Sequence, residues 1–216
     1  MNKTIPLPAD ILTPHDLAQI GREFPDQIQR LAEKFQRLAA LDRHRQVFGA
    51  HHHDYRLGPP CPEDELRSWE VATGLRLPPD YRRFLAEVGN GGAGPYYGWA
   101  ELSTVGADNL EELQRPNLLP AIAWPEWLEW EAAAGALPAG AEPLDGTIEV
   151  AGHGCMIFSH LVVHGTTAGQ VWVDNTGAAL GPVGTFTDWY EWWLDQGLTG
   201  ANWQSRTGDE RQCERG

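Results

Sequence analysis

The fold class of this chain is decided by residues 146–198, which read GTIEVAGHGCMIFSHLVVHGTTAGQVWVDNTGAALGPVGTFTDWYEWWLDQGL. Short runs rich in β-branched and aromatic residues alternate here with Gly and Asn, a pattern that predicts strands joined by tight turns. The predicted strands are Thr147–Val150, Met156–Val163, Gln170–Asp174 and Ala178–Gly181. From Thr185 to Leu194 the aromatic residues recur at helical spacing instead, which predicts a closing helix.

The residues before this stretch carry helix signals. Thr13 is a good N-cap, Pro14 fits the first helical position, and apolar residues after Pro25 recur every three or four positions. Further helices are predicted for Pro62–Gly74, Pro79–Val88, Asp108–Leu113 and Trp124–Ala134, with a connector over His51–Pro60. Helices first, strands later and one closing helix predict an α+β fold, with a mixed or antiparallel sheet covered by helices.

The same pattern divides the chain into three regions. We expect an N-terminal helical extension over residues 1–57, an α+β domain over residues 58–200 and a polar tail over residues 201–216. The sequence contains no internal repeat that would divide it further.

Charge is distributed unevenly along the chain. The formal net charge is -14, and residues 100–200 hold fourteen Asp and Glu side chains but a single Lys or Arg, Arg115. Such a negative field repels nucleic acid and anionic lipid, and it steers a basic partner toward the protein. Solubility alone is an alternative explanation of the same charge.

The sequence predicts a cytoplasmic protein. Its first residues lack the basic and apolar regions of a signal peptide, and no apolar run is long enough to cross a membrane. Cys61, Cys155 and Cys213 form an odd set without CxxC spacing, which favours free thiols in a reducing compartment. We therefore expect no membrane partner and no nucleic-acid partner.

No residue pattern favours catalysis or a cofactor. The glycines of residues 90–95 follow a predicted helix and lack the Lys and Ser/Thr of a phosphate-binding loop, so they predict a turn. On one strand, His153 and Cys155 would face away from His160 and His164, which opposes a tetrahedral metal site. We expect no catalytic, cofactor or metal residues; the alternative is a metal-dependent enzyme that uses His153 and Cys155.

A more specific stretch is residues 77–99, LPPDYRRFLAEVGNGGAGPYYGW, preceded by Trp69-Glu70. Together with the strands described above and the closing FTDWYEWWL of residues 186–194, in the same order, this stretch resembles the SUKH superfamily, named partly for fungal cell-wall-synthesis regulators of the Smi/Knr type. The resemblance covers about residues 60–198. The residues before Pro60 and the segment around Trp124 depart from the pattern of the family.

The resemblance implies a function by association. Bacterial SUKH proteins are chiefly immunity proteins, which bind and block polymorphic toxins such as nucleases. Because a basic toxin would be steered onto an acidic protein, we expect a non-enzymatic protein that neutralises a basic cognate toxin by direct binding. The alternative that the resemblance leaves is a regulatory scaffold related to the control of cell-wall synthesis.

Residues 124–131, WPEWLEWE, form a candidate contact surface. Exposed tryptophans among acidic residues suit a protein-binding hot spot. The candidate partner-binding residues are Trp124, Glu126, Trp127, Glu129, Trp130 and Glu131. The alternative is that the tryptophans of this segment pack against the sheet.

Overall fold

The structure is a computed structural model that describes residues 10–102, 109–175 and 177–203. Its helices are α1 (Pro14–Glu23), α2 (Gln27–Leu41), α3 (Ala50–His53), α4 (Glu63–Thr73), α5 (Pro79–Glu87), α6 (Leu110–Gln114), α7 (Trp130–Ala136) and α8 (Phe186–Leu198). Its strands are β1 (Leu128–Glu129), β2 (Thr147–Gly154), β3 (Ile157–Val162), β4 (Gln170–Asn175) and β5 (Ala179–Thr185). The predicted α+β fold is confirmed.

The five strands form one sheet in the order β1-β5-β4-β3-β2, and every neighbouring pair is antiparallel. The register places Ser159 of β3 opposite Val173 of β4, and Val173 opposite Gly181 of β5. Since paired residues project to the same face of a sheet, these three positions share one face.

Both faces of the sheet are covered, by two separate apolar cores. The larger core joins one face, through Leu161 and Val171, to buried residues of α2, α5 and α8. The smaller core holds Val162 and Trp172 on the opposite face and packs them against residues around α7. The alternation of Leu161 with Val162 along β3 is the two-residue period expected of a strand buried on both sides.

Local sequence signals account for the helix ends. Thr13 and Asp16 form a capping box at the start of α1, and Thr185 with Asp188 forms another at the start of α8. Gly74 ends α4 in the left-handed conformation that favours glycine. The predicted starts of α1 and α8 and the predicted end of α4 are therefore confirmed.

The stretch 77–99 is tied to the rest of the domain by buried and partly buried polar contacts. Oδ2 of Asp80, in the first turn of α5, accepts hydrogen bonds of 3.1 Å from both the backbone N–H and the hydroxyl of Thr187 in α8. The hydroxyl of Tyr190 donates a 2.7 Å hydrogen bond to the carbonyl oxygen of Ala93 in the Gly-rich loop. These contacts fix α5 and the loop against α8.

An ion-pair network joins α2 to α8. The buried Lys34 ammonium lies 2.7 Å from the Glu191 carboxylate and 2.5 Å from that of Asp195, and Arg30 also binds Glu191 at 2.6 Å. Burial acts to raise the pKa of Glu191, but the hydrogen bonds from Arg30 and Lys34 outweigh it and hold the pKa at about 2. For Asp195, burial is the larger effect and raises the pKa.

Three predictions of local structure are wrong. The helix predicted for Trp124–Ala134 begins only at Trp130, because Leu128 and Glu129 pair with β5 as strand β1. Part of the predicted connector over His51–Pro60 belongs to the one-turn helix α3. Cys155 is disulfide-bonded, not a free thiol; Cys61 is free and buried, and Cys213 lies outside the described residues.

None of the helices in the described ranges combines the length and apolarity that crossing a bilayer requires.

Candidate partner-binding groove

An apolar groove of about 340 Å³ lies on the face of the sheet that packs against α8 and the larger core. Residues of β3, β4 and β5 line it. Its floor carries Ile157 of β3, Val173 and Asn175 of β4, and Val183 of β5. The register explains this grouping, since Ile157 is paired with Asn175 and Val173 lies two residue pairs further along the sheet, on the same face. We name this site, with the walls described next, the aromatic groove.

Five aromatic side chains form the walls of the aromatic groove. Trp189 and Trp192 come from α8, Trp124 and Trp127 from the segment before β1, and Tyr96 from the end of the Gly-rich loop. Three of these side chains are exposed: Trp124 is 62% exposed, Trp192 50% and Trp127 43%. Large aromatic side chains are rarely left this exposed together without a binding partner.

Gly181 lies directly beneath the Trp127 side chain of the groove wall. A Cβ atom added to Gly181 would lie 2.7 Å from Cδ2 of Trp127 and 2.9 Å from two further ring atoms. The indole of Trp127 therefore rests directly on the backbone of β5. Any larger residue at position 181 would displace it.

A polar cluster lies next to the floor of the groove. The Tyr96 ring stacks on His153 with 3.5 Å between ring centroids, and Nε2 of His153 lies 2.7 Å from the Ser159 hydroxyl. Burial, and then the charge of His160, lowers the pKa of His153 to about 4, so the imidazole is neutral near pH 7. A neutral His beside a Ser hydroxyl has the chemistry of a base and a nucleophile.

The surroundings of Ser159 oppose that catalytic interpretation. Ser159 is 0% exposed, and Val173 of the next strand lies opposite it in the register. A nucleophile must reach within bonding distance of a substrate atom, whereas this hydroxyl has no access to solvent. The pair of Ser159 with His153 supports the sheet and the Tyr96 ring.

The charges near the groove are negative. Glu126, Glu129 and Glu131 are exposed, and none of them forms a salt bridge with a described residue. Arg115, the single cation of residues 100–200, is already paired with Glu111 and Asp145 at 3.3 Å. No Lys or Arg appears among the described residues that line the groove.

The structure separates the six residues of the candidate contact surface. Trp124 and Trp127 lie in the wall of the aromatic groove, with ring centroids 6.5 Å apart at an angle of 68°. Trp130 is partly buried and packs against the smaller core, behind the sheet. Glu126, Glu129 and Glu131 are exposed, as described above.

Sequence reasoning missed Tyr96 and Trp192 as residues of the site. On α8 the buried aromatic stripe contains Phe186, Trp189 and Trp193, and a helix turns by about 100° per residue, so Trp192 falls outside the stripe. A Trp beside an otherwise regular apolar stripe was the available signal. Nothing in the local sequence distinguishes Tyr96 from its neighbours in the loop.

The His and Cys residues considered for a metal site do not converge. His153 faces Tyr96 and Ser159, Cys155 is disulfide-bonded, and His160 is paired with Trp172 on the opposite face. Among the residues that the structure describes, no three His, Cys, Asp or Glu side chains are grouped so as to hold a metal ion.

Comparisons of the chain with protein-family models, with curated proteins and with solved structures gave no match.

Proposed function

We propose that this protein is a non-enzymatic immunity protein that neutralises a basic cognate toxin by binding it at the aromatic groove. The observation that carries the proposal is the set of three exposed tryptophans, Trp124, Trp127 and Trp192, around one apolar groove. Hot spots of protein interfaces are enriched in Trp that fills or lines a pocket at the centre of the contact.

Charge supports a basic partner. The groove is built almost entirely from the part of the chain that holds fourteen acids and one Arg, and that Arg is already paired. A partner with a positive surface would be attracted over a distance of several ångströms and then held by contact with the rings. The same field would repel nucleic acid and anionic membranes.

We propose a toxin as the partner because the sequence resembles the SUKH superfamily, whose bacterial members are chiefly immunity proteins. The contacts of Asp80 and Tyr190 give physical roles to the residues that carry the resemblance. The inaccessible hydroxyl of Ser159 favours binding over catalysis. A cytoplasmic location belongs to the proposal too; the free thiol of Cys61 supports it, whereas the disulfide at Cys155 does not.

The proposal predicts that a gene adjacent to that of this protein encodes the toxin domain, and it is tested by mixing that domain with this protein. We expect a one-to-one complex by calorimetry, loss of toxin activity in the complex, and affinity that falls steeply between about 50 and 200 mM salt. Absence of a complex at the lower salt concentration, or a complex in which the toxin stays active, would contradict the proposal.

A charge variant separates steering from contact. Replacing Glu126, Glu129 and Glu131 together by Gln should slow association severalfold and leave dissociation nearly unchanged, because these exposed carboxylates act at long range. The control is Glu112→Gln, which removes one exposed carboxylate on α6, away from the groove lining, so the two effects are compared per carboxylate removed. Equal effects per carboxylate would show that the three acids around the tryptophans have no special role.

A further inference from the structure

We infer that the aromatic groove receives a cationic side chain, Arg or Lys, of the partner between its tryptophan rings. The inference rests on the proposed function and names the chemical group that this site recognises.

The rings form an open corner. Trp124 and Trp127 meet edge to face, at 68° with 6.5 Å between centroids, and both side chains keep exposed ring surface beside this contact. The Trp127 ring is seated on Gly181, which fixes its position without a second side chain beneath it. Trp192 closes the groove from α8. A cation in this corner would lie within reach of more than one ring, as cation–π contacts require about 6 Å from the centroid.

The charges around the corner favour a cation over a neutral group. Glu126 lies in sequence between the two tryptophans and is exposed, without a described salt-bridge partner. Glu129 is also exposed, and it is paired with Ala179, which is in turn paired with Asn175 of the groove floor, so its side chain lies on the same face of the sheet as the groove. The described lining residues include no Lys or Arg that would occupy the rings from within the protein.

An apolar occupant would use the rings but not these carboxylates. Guanidinium is weakly hydrated and stacks on aromatic faces, so an Arg side chain satisfies both features of the site. Its aliphatic stem would contact the apolar floor at Val173 and Val183. A lipid tail or an uncharged peptide would not distinguish charge in this way, and the experiment below separates these occupants from a cation.

The test is an NMR titration of the indole N–H signals with N-acetyl-arginine-N-methylamide at constant ionic strength. The neutral comparison probe is N-acetyl-norleucine-N-methylamide, which keeps an aliphatic stem and lacks the charge. We expect the arginine probe to shift the signals of Trp124, Trp127 and Trp192 with a dissociation constant in the millimolar range, at least tenfold tighter than the neutral probe. Equal shifts with both probes, or none with either, would overturn the inference.

Two variants make the readout specific to ring chemistry. Trp192→Leu and Trp127→Leu keep an apolar side chain but remove the aromatic face, and each should weaken arginine binding at least fivefold, whereas the Phe variants should retain part of it. Val71→Ala, at an exposed position on α4, is the control. If the Leu variants bind the arginine probe as tightly as the wild type does, no cation–π contact exists.

Failure of this inference can be distinguished from failure of the proposed function. If the toxin domain binds and is inhibited while neither small probe shifts the indole signals, the groove does not recognise a cation and the immunity function stands. If the arginine probe binds but the toxin domain does not, the recognised cation belongs to another partner.

Discussion

Gly181→Ala should disturb the aromatic groove and leave the fold intact. The added Cβ would lie 2.7 Å from the Trp127 ring, whereas ordinary contacts begin at 3.4 Å. The ring must therefore move outward by about 0.7 Å or rotate away, and it is free to do so because it is 43% exposed. The backbone of Gly181 has no positive φ, so alanine fits the strand without backbone strain.

The two energetic effects of this substitution nearly cancel. Alanine in place of glycine stabilises by about 0.4–1 kcal/mol through the unfolded chain, and partial loss of Trp127 packing costs a similar amount. We expect the free energy of unfolding, measured with urea, to change by less than about 1 kcal/mol. The affinity for the toxin domain should nevertheless fall about tenfold. Unchanged affinity together with a displaced Trp127 indole signal would refute the role of this wall.

Three further predictions concern the body of the domain. Lys34→Met removes the cation that pairs with both Glu191 and Asp195 and leaves Arg30 beside Glu191. We expect the free energy of unfolding to fall by about 2 kcal/mol and the melting temperature to fall by roughly 4–8 °C in calorimetry. Tyr190→Phe removes a buried 2.7 Å hydrogen bond and should cost about 1 kcal/mol in urea unfolding. Burial holds the pKa of both His153 and His160 at about 4, below the 6.5 of an exposed imidazole, so protons bind the unfolded chain more readily. Stability should be fully present above pH 6.5 and be lost as the pH falls toward 4, with a slope approaching about 1.4 kcal/mol per pH unit for each histidine.

Each of these predictions has a control or a contradicting result. Arg67→Met breaks an exposed ion pair with Glu63 on α4 and should change stability by less than about 0.5 kcal/mol, so an equal effect of Lys34→Met would refute the buried network. A Tyr190→Phe variant as stable as the wild type would show that the Gly-rich loop is not fixed by that hydroxyl. Urea midpoints that stay constant from pH 6.5 to 4 would contradict the burial of the two imidazoles.

The helices and strands with agreeing local signals could be predicted from the sequence. Thr13 and Thr185 are N-caps whose side chains bond to a residue three positions later, Asp16 and Asp188. The starts of these helices are therefore set by residues close in sequence. The strand β5 was predicted too short, since Pro182 and Gly184 are unfavourable in strands. Pro182 is tolerated because β1 pairs only with Leu180 and Ala179, which leaves the outer side of β5 open at position 182.

The groove could be predicted only in part. The sequence made Trp124 and Trp127 candidates for a contact surface and left packing against the sheet as the alternative. Their wrong assignment to a helix did not predict the edge-to-face contact of the two rings. That error arose because β1 forms by pairing with residues about fifty positions later in the chain. Helix propensity reflects only local sequence and contains no information about such a pairing. The floor of the groove and the contact of Trp127 with Gly181 depend on how β3, β4 and β5 are aligned with one another. No local sequence signal specifies that register.

The proposed function requires the exposed tryptophans of the groove to bind a basic protein partner. The decisive measurement is the dissociation constant of the toxin domain for Trp127→Ala and Trp192→Ala, compared with wild type and with Val71→Ala. We predict that each Trp variant binds at least about 30-fold more weakly, the effect of an interface hot spot, while Val71→Ala binds as the wild type does. Wild-type affinity in both Trp variants, with the fold intact, would contradict the account.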